Sequence, residues 1–112
     1  MAGAAYELNL RMTDDESFVF SCQWKLADGT DFPWADYTYE YRLSECGSAI
    51  FDLTGGSGIT LTEALHFITF AKAADYRIPA GTYEHACRIT HIETEGAFVM
   101  FDGTVTVSKE VF

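Results

Sequence analysis

The chain has 112 residues, of which 48% are hydrophobic and 15% aromatic, and its formal net charge is −10, from 17 acidic and 7 basic side chains. This length has room for one domain with a real core, so we predict a single domain over residues 1–112. An acidic surface repels nucleic acid, and no apolar run approaches the roughly 20 residues of a membrane-spanning helix. Nucleic acid and membrane are therefore excluded as partners. The start of the chain lacks the features of a signal peptide, so we expect synthesis in a cytoplasm.

Alternation of apolar and polar residues predicts the first two strands. Apolar residues occupy every second position near the start of the chain: Tyr6, Leu8, Leu10 and Met12. A polar turn over residues 13–16 follows them. The second strand, over residues 18–26, has the strongest alternation in the chain. Asp28 and Gly29 then predict a hairpin turn, and Pro33 predicts a loop or an edge crossing.

The middle of the chain predicts three further strands and one ambiguous segment. Residues 37–43 form a strand with three tyrosines on one side, and shorter strands follow at 49–54 and 59–61, joined by a glycine-rich turn. Residues 62–78 fit the spacing of a helix as well as that of a strand. Because residues 67–70 are rich in β-formers, we predict a strand over 65–70 followed by one helical turn.

The end of the chain predicts a long hairpin. Residues 79–92 and 97–107 are rich in β-formers and are separated by a turn over 93–96. We predict that this hairpin completes the sheet as its edge, with a bulge at Gly103. The predicted fold is all-β: an antiparallel immunoglobulin-like β-sandwich of eight or nine strands with at most one short helical turn.

Three cysteines raise the question of a disulfide. An early cysteine, a tryptophan and a late cysteine mark the core of immunoglobulin domains, and here they are Cys22, Trp34 and Cys87. However, Trp34 directly follows Pro33, and residue 85 is a histidine where the corner tyrosine of that fold is expected. We therefore predict that Cys22 and Cys87 are buried free thiols that pack as small apolar groups.

No pattern in the sequence predicts a catalytic, cofactor or metal site. His85 and His91 share one side of a predicted strand but lie roughly 20 Å apart along it, so one metal ion cannot use both. The acidic residues at 14–16 fit a polar turn better than a calcium loop. No serine lies in a G-x-S-x-G elbow. We therefore predict a protein that is not an enzyme and rank an esterase or a glycosidase far below.

The one candidate binding surface is aromatic. Its five residues cluster around the tyrosine strand: Phe32, Trp34, Tyr37, Tyr39 and Tyr41. Exposed aromatic rings bind sugars and anchor protein contacts. The alternative, which we favour slightly, is that the tyrosines pack in the core.

Two segments carry a resemblance to a known group of proteins. They are the run from Ile78 to Tyr83, which contains P-A-G-T-Y, and the run G-T-V-T-V from Gly103 to Val107. Together with the order of strands and turns, they resemble the small β-sandwich structural proteins of tailed-phage virions, such as the N-terminal domain of the lactococcal-type baseplate upper protein.

This resemblance implies a location in the virion, as a baseplate, tail, head-to-tail or capsid-decorating subunit. It also implies contacts with other virion proteins and with copies of the chain itself, and it implies no catalytic residues. The alternative from another class is a carbohydrate- or receptor-binding module that uses the aromatic surface and takes a host glycan as its partner.

Overall fold

The computed structural model describes residues 6–23, 36–62 and 67–109. Over these residues the chain is all-β, as predicted, with nine strands and no α-helix. No helix in these ranges is long and apolar enough to cross a membrane. The strands are β1 (Tyr6–Glu7), β2 (Leu10–Thr13), β3 (Val19–Gln23), β4 (Tyr37–Glu45), β5 (Ser48–Gly55), β6 (Gly58–Thr62), β7 (Phe67–Ala71), β8 (Gly81–His91) and β9 (Ala97–Ser108).

The nine strands form one curled sheet, an open half-barrel. Its order is β1-β9-β8-β4-β5-β6-β7-β3, and β2 follows β1 along the same side of β9. The prediction of a purely antiparallel sheet is wrong at three pairings, because β1 and β2 run parallel to β9 and the short β5–β6 pairing is also parallel. The first and last strands meet without a connecting hairpin, so no turn constrains their relative direction.

The predicted closing hairpin is confirmed as β8 and β9. Its turn is closed by a hydrogen bond from the amide of His91 to the carbonyl of Gly96, at 2.9 Å. Two details differ from the prediction. The hairpin lies inside the sheet, since β8 pairs with β4 and β9 pairs with β1 and β2. The register shift falls between Cys87 and Arg88, and not at Gly103.

In its described part, the segment over residues 62–78 is a strand followed by a turn. β7 pairs with β3 and β6 on its two sides, so the helical alternative is wrong over the residues from Phe67 onward that the structure describes. A hydrogen bond of 2.9 Å from the amide of Tyr76 to the carbonyl of Ala73 closes one turn after the strand. The β-branched and aromatic residues of this strand therefore outweigh its helical spacing.

The core lies between the two ends of the curled sheet. Phe70 on β7 is fully buried and touches rings from three other strands. Its ring centroid is 4.8 Å from that of Phe20, 5.2 Å from that of Tyr41 and 5.6 Å from that of Phe101. Burying one such side chain stabilises a fold by about 1.5–3 kcal/mol. The two halves of the sheet thus share one aromatic core.

Candidate interaction sites

The tyrosine strand β4 turns two of its three tyrosines into the core. Tyr39 is 7% exposed and Tyr41 is 1% exposed, and burial raises the pKa of both hydroxyls. The residues on either side of Tyr39, Thr38 and Glu40, face solvent, as the two-residue period of a strand requires. Tyr39 and Tyr41 are therefore packing residues, and they do not belong to an exposed contact surface.

Tyr37 lies at the end of the same strand and keeps a half-exposed ring. Its ring centroid is 5.0 Å from that of His91 and 6.3 Å from that of Phe98, both nearly perpendicular to it. Phe98 is 43% exposed. We call Tyr37, His91 and Phe98 the aromatic end. Phe32 and Trp34, the other two residues of the predicted surface, lie outside the described residues.

The outer face of β4 carries charge pairs. Arg42 makes a bidentate contact with Asp52 on β5, with distances of 2.6 and 3.0 Å, and this contact lowers the pKa of the Asp52 carboxyl. Arg88 on β8 contacts Glu40 at 2.7 Å. Both pairs join residues that lie directly opposite each other in the sheet. Solvent-exposed pairs of this kind contribute little to stability, and they mark this side of the sheet as its polar face.

The pairing of the N-terminal segment with β9 is interrupted at Leu8 and Asn9, between β1 and β2. Between β1 and β2, the side-chain oxygen of Asn9 accepts a hydrogen bond of 2.9 Å from the amide of Thr104 and replaces a backbone acceptor. Gly103 lies directly beneath, since a Cβ atom added there would be 2.7 Å from both the Leu8 carbonyl carbon and Asn9 Oδ1. We call this passage of Leu8 and Asn9 over Gly103 the Leu8 crossing.

A buried histidine is hydrogen-bonded to the Leu8 crossing. His85 is 3% exposed, and its Nε2 lies 2.6 Å from the carbonyl oxygen of Leu8. Because a carbonyl oxygen only accepts, Nε2 carries the proton. Nδ1 of the neutral ring then accepts from the Tyr41 hydroxyl at 2.9 Å. Both ring nitrogens are thus occupied by structural hydrogen bonds that tie β4 and β8 to the N-terminal segment.

The buried His85 predicts that the fold is weakened by acid. Burial lowers its pKa, an effect partly offset by the Leu8 hydrogen bond and the charge of Asp102. Above the unfolded pKa of about 6.5 both states are neutral. As the pH falls from there toward the folded pKa, only the unfolded chain takes up a proton. The free energy of unfolding should therefore fall by up to about 1.4 kcal/mol per pH unit.

Urea unfolding between about pH 8 and pH 5.5 measures this slope. Replacing His85 with glutamine should flatten it, whatever the variant's absolute stability. An identical slope in the wild type and in His85→Gln would contradict the assignment of the acid effect to His85.

A cleft separates the two end strands of the half-barrel. It has a volume of about 400 Å³ and lies between β1 and β3, with the buried ring of Phe101 between them. We call it the edge cleft. The residues that line it include Tyr6, Glu7, Leu8, Ser21, Cys22 and Phe101. Within the described part of the chain, β1 pairs only with β9 and β3 pairs only with β7.

The thiols of Cys22 and Cys87 do not form a nucleophilic site. Burial raises the pKa of Cys22 to about 11 and that of Cys87 to about 12, so both are protonated at neutral pH. All three cysteines are free; Cys87 is buried as predicted, whereas Cys22 is only half-buried. Among the side chains that the structure describes, no three histidine, cysteine or carboxylate groups converge as metal ligands would.

Comparisons with protein-family models and with curated protein sequences find no match to this chain. What can be said of function therefore rests on the residues and their geometry.

Sequence reasoning missed both the Leu8 crossing and the edge cleft. Leu8 was predicted as part of one uninterrupted strand, whereas the structure divides that strand around Leu8 and Asn9. His85 was considered only as a metal ligand or as a substitute for a corner tyrosine. The signal that could have located the crossing is a histidine on the apolar side of one strand together with a glycine in the strand that follows it. A buried imidazole needs hydrogen-bond partners, and a glycine permits the close approach of another backbone.

Proposed function

We propose that the chain is a non-enzymatic structural component of a tailed-bacteriophage virion, such as a baseplate, tail, head-to-tail or capsid-decorating subunit. In this role it assembles through contacts with other virion proteins and with copies of itself. The two segments that carry the resemblance support this proposal, because they lie side by side. Gly81 to Tyr83 on β8 pair in register with Val107 to Val105 on β9. The resemblance thus rests on one continuous element of the fold.

We further propose that the curled sheet is an immunoglobulin-like sandwich whose two layers are its two halves. β3, β6 and β7 form one layer, and β1, β2, β4, β5, β8 and β9 form the other, joined by the two-residue β5–β6 pairing. The ring contacts of Phe70 with Tyr41 and Phe101 support this division, because they link the two layers. Greek-key sandwiches combine strands from distant parts of the chain in this manner.

A tyrosine at the start of β8 also supports the immunoglobulin-like arrangement. The hydroxyl of Tyr83 donates a hydrogen bond of 2.6 Å to the carbonyl of Pro79, four residues upstream. Immunoglobulin-like sandwiches have a bond of this kind at the corner where the chain passes from one sheet to the other. In this chain the corner residue is Tyr83, which lies two residues before position 85, where the sequence analysis expects a corner tyrosine.

The observation that carries the assembly role is that, within the described residues, β1 and β3 stand at the two ends of the strand order. Edges that lack charged side chains, proline or a covering element pair readily with other chains. Tyr6 on β1 is 50% exposed and Val19 on β3 is 56% exposed, so apolar side chains accompany both edges. Among the described residues, three groups that could act as a base or a nucleophile are engaged elsewhere: His85 is fully hydrogen-bonded, and Cys22 and Cys87 are protonated.

Mass spectrometry of gradient-purified phage particles tests the proposal. Particles whose genome encodes the chain should contain it in a fixed ratio to the other virion proteins, and antibodies against the chain should label one structure of the particle in electron micrographs. A chain that is expressed during infection but is absent from purified particles would refute the virion role. Turnover of a substrate that a single side-chain substitution abolishes would refute the non-enzymatic role.

A carbohydrate- or receptor-binding module is the second candidate, and the aromatic end favours it. The exposed ring of Phe98 beside Tyr37 and His91 offers an aromatic face to a sugar. A glycan array probed with the wild type and with Phe98→Ala separates this candidate from the first. A hit that disappears in the variant supports it, and the absence of any hit leaves the assembly role as the function.

A further inference from the structure

We propose that neighbouring copies of this chain exchange their N-terminal segments, so that residues 6–13 of one copy lie along β9 of another. This inference rests on the proposed assembly role, since it states how one copy contacts the next. The surface that accepts the segment is the side of β9 that β1 and β2 occupy. The partner that fits this surface is the same segment of a second copy.

The N-terminal segment can move as a unit. Among the described strands, β1 and β2 pair only with β9. Residues 14–17 connect the segment to Phe18, which is 1% exposed and belongs to the core. This connection is closed by local hydrogen bonds: the Glu16 carboxylate accepts from the Thr13 amide at 2.8 Å, and the Glu16 amide donates to the Thr13 carbonyl at 3.2 Å. Opening these bonds frees the segment without breaking the pairings among β3 to β9.

The Leu8 crossing fixes the register of the segment on β9. His85 Nε2 donates to the Leu8 carbonyl at 2.6 Å, and the Thr104 amide donates to Asn9 Oδ1 at 2.9 Å. Gly103 leaves room for the backbone between these two bonds. A shift by one residue would reverse the side-chain pattern and remove the acceptor of a buried imidazole. The surface of β9 is therefore selective for this segment in one register.

Within a single copy, the short connection already limits the register. Residues 14–17 join Thr13 directly to the buried Phe18, and the amide of Asp14 is hydrogen-bonded to the carbonyl of Ser108 at 2.9 Å. The polar contacts of the crossing thus add little selection when the segment belongs to the same copy. Between copies no connection sets the register, so the crossing is what selects the matching segment. This selectivity favours a second copy as the source of the segment.

Charge and concentration both allow the exchange. Residues 6–13 contain one acid and one base, Glu7 and Arg11, so the segment adds no net charge to the acidic surface of a neighbour. The same contacts form within a copy and between copies, which makes exchange of an identical element a low-cost route to assembly. A short tether gives an effective concentration of about millimolar order, so exchange needs copies that are held close together, as they are in a particle.

Mixed single-cysteine variants test the exchange in the full chain. One population carries Arg11→Cys and the other Thr106→Cys, and both carry Cys46→Ser, which removes the exposed thiol. Arg11 and Thr106 are register partners on β2 and β9. Adjacent strands bring such partners within disulfide distance, so oxidised glutathione should link two chains where the segment of one lies on β9 of the other. We expect this linked heterodimer when the chains are mixed at about millimolar concentration.

The matched control is a mixture of Thr38→Cys and Thr90→Cys chains in the same Cys46→Ser background. These residues are register partners on β4 and β8, and one of the two is exposed and the other half-buried, as for Arg11 and Thr106. Both strands lie inside the sheet and cannot exchange without unfolding it. The control therefore measures linkage by random collision, and the Arg11→Cys and Thr106→Cys mixture should give at least about fivefold more heterodimer.

Gly103→Ala shows whether the crossing directs the exchange. In the Arg11→Cys chain it displaces that chain's segment from its own β9, so the heterodimer should increase at least about threefold. In the Thr106→Cys chain it obstructs the accepting surface, so the heterodimer should decrease at least about fivefold. General destabilisation would change the yield in the same direction for both placements. Circular dichroism of each variant checks that the fold is kept.

Two outcomes overturn the inference. A heterodimer yield no higher than that of the control mixture would show that each segment stays on the β9 of its own copy. Equal effects of Gly103→Ala in the two chains would show that the Leu8 crossing does not select the exchanged segment. Both leave the particle composition test untouched, so failure of the exchange is distinguishable from failure of the virion role.

Discussion

Replacing Phe70 with alanine is expected to lower the free energy of unfolding by about 3–5 kcal/mol, the cost of removing a fully buried ring and leaving a cavity. Phe70 is 0% exposed and contacts rings on β3, β4 and β9. A domain of this size has a stability of about 5–15 kcal/mol. The substitution should therefore remove a large part of the stability of the chain, and urea titration followed by circular dichroism measures the shift in midpoint.

Phe98→Ala is the matched control for this prediction. It removes the same ring from β9 at a position that is 43% exposed, so the transfer and cavity contributions are both small, and the cost should be below about 1 kcal/mol. If the two substitutions cost the same, the halves of the curled sheet do not share one core. The division into two packed layers proposed for the fold would then be wrong.

The strands were predictable because their signal is local. Buried residues occupy every second position from Tyr39 to Leu43 in β4 and from Tyr83 to Ile89 in β8, and this period of two is visible in the sequence without knowledge of any partner strand. The same rule explains why the tyrosines were correctly placed on one side of β4. Which side faced the core could not be read from them, since a tyrosine suits either a core or a contact surface.

The pairing of strands was not predictable in the same way. The parallel alignment of β1 and β2 with β9 joins the two ends of the chain, and the hydrogen bond from His85 to Leu8 joins residues 77 positions apart. No period within a single strand encodes such contacts. The edge cleft depends on them as well, because it exists only where β1 and β3 end the same curled sheet. Long-range strand pairing therefore determines where the edge cleft forms, whereas alternation determines only which residues form strands.

Replacing Gly103 with alanine should cost about 3 kcal/mol, the upper part of the range for an overpacked site. The added Cβ would be 2.7 Å from the Leu8 carbonyl carbon and from Asn9 Oδ1, closer than carbon atoms approach these groups. The atoms it meets are mainly backbone, which cannot rotate away. The N-terminal segment must therefore move off β9, and the hydrogen bond between His85 and the Leu8 carbonyl is lost with it.

Gly55→Ala is the matched control, since Gly55 also lies in a strand and the nearest atom to an added Cβ there is Tyr39 Cδ2, at an ordinary 3.8 Å. Hydrogen exchange distinguishes displacement of the segment from general destabilisation. In Gly103→Ala the amides of Leu8 and Thr104, which are bonded across the crossing, should exchange faster than those of the β4–β8 pairing. Equal stability of the two glycine variants would show that the crossing adapts to a methyl group. Uniformly faster exchange would show that the methyl group destabilises the whole fold and does not displace the N-terminal segment specifically.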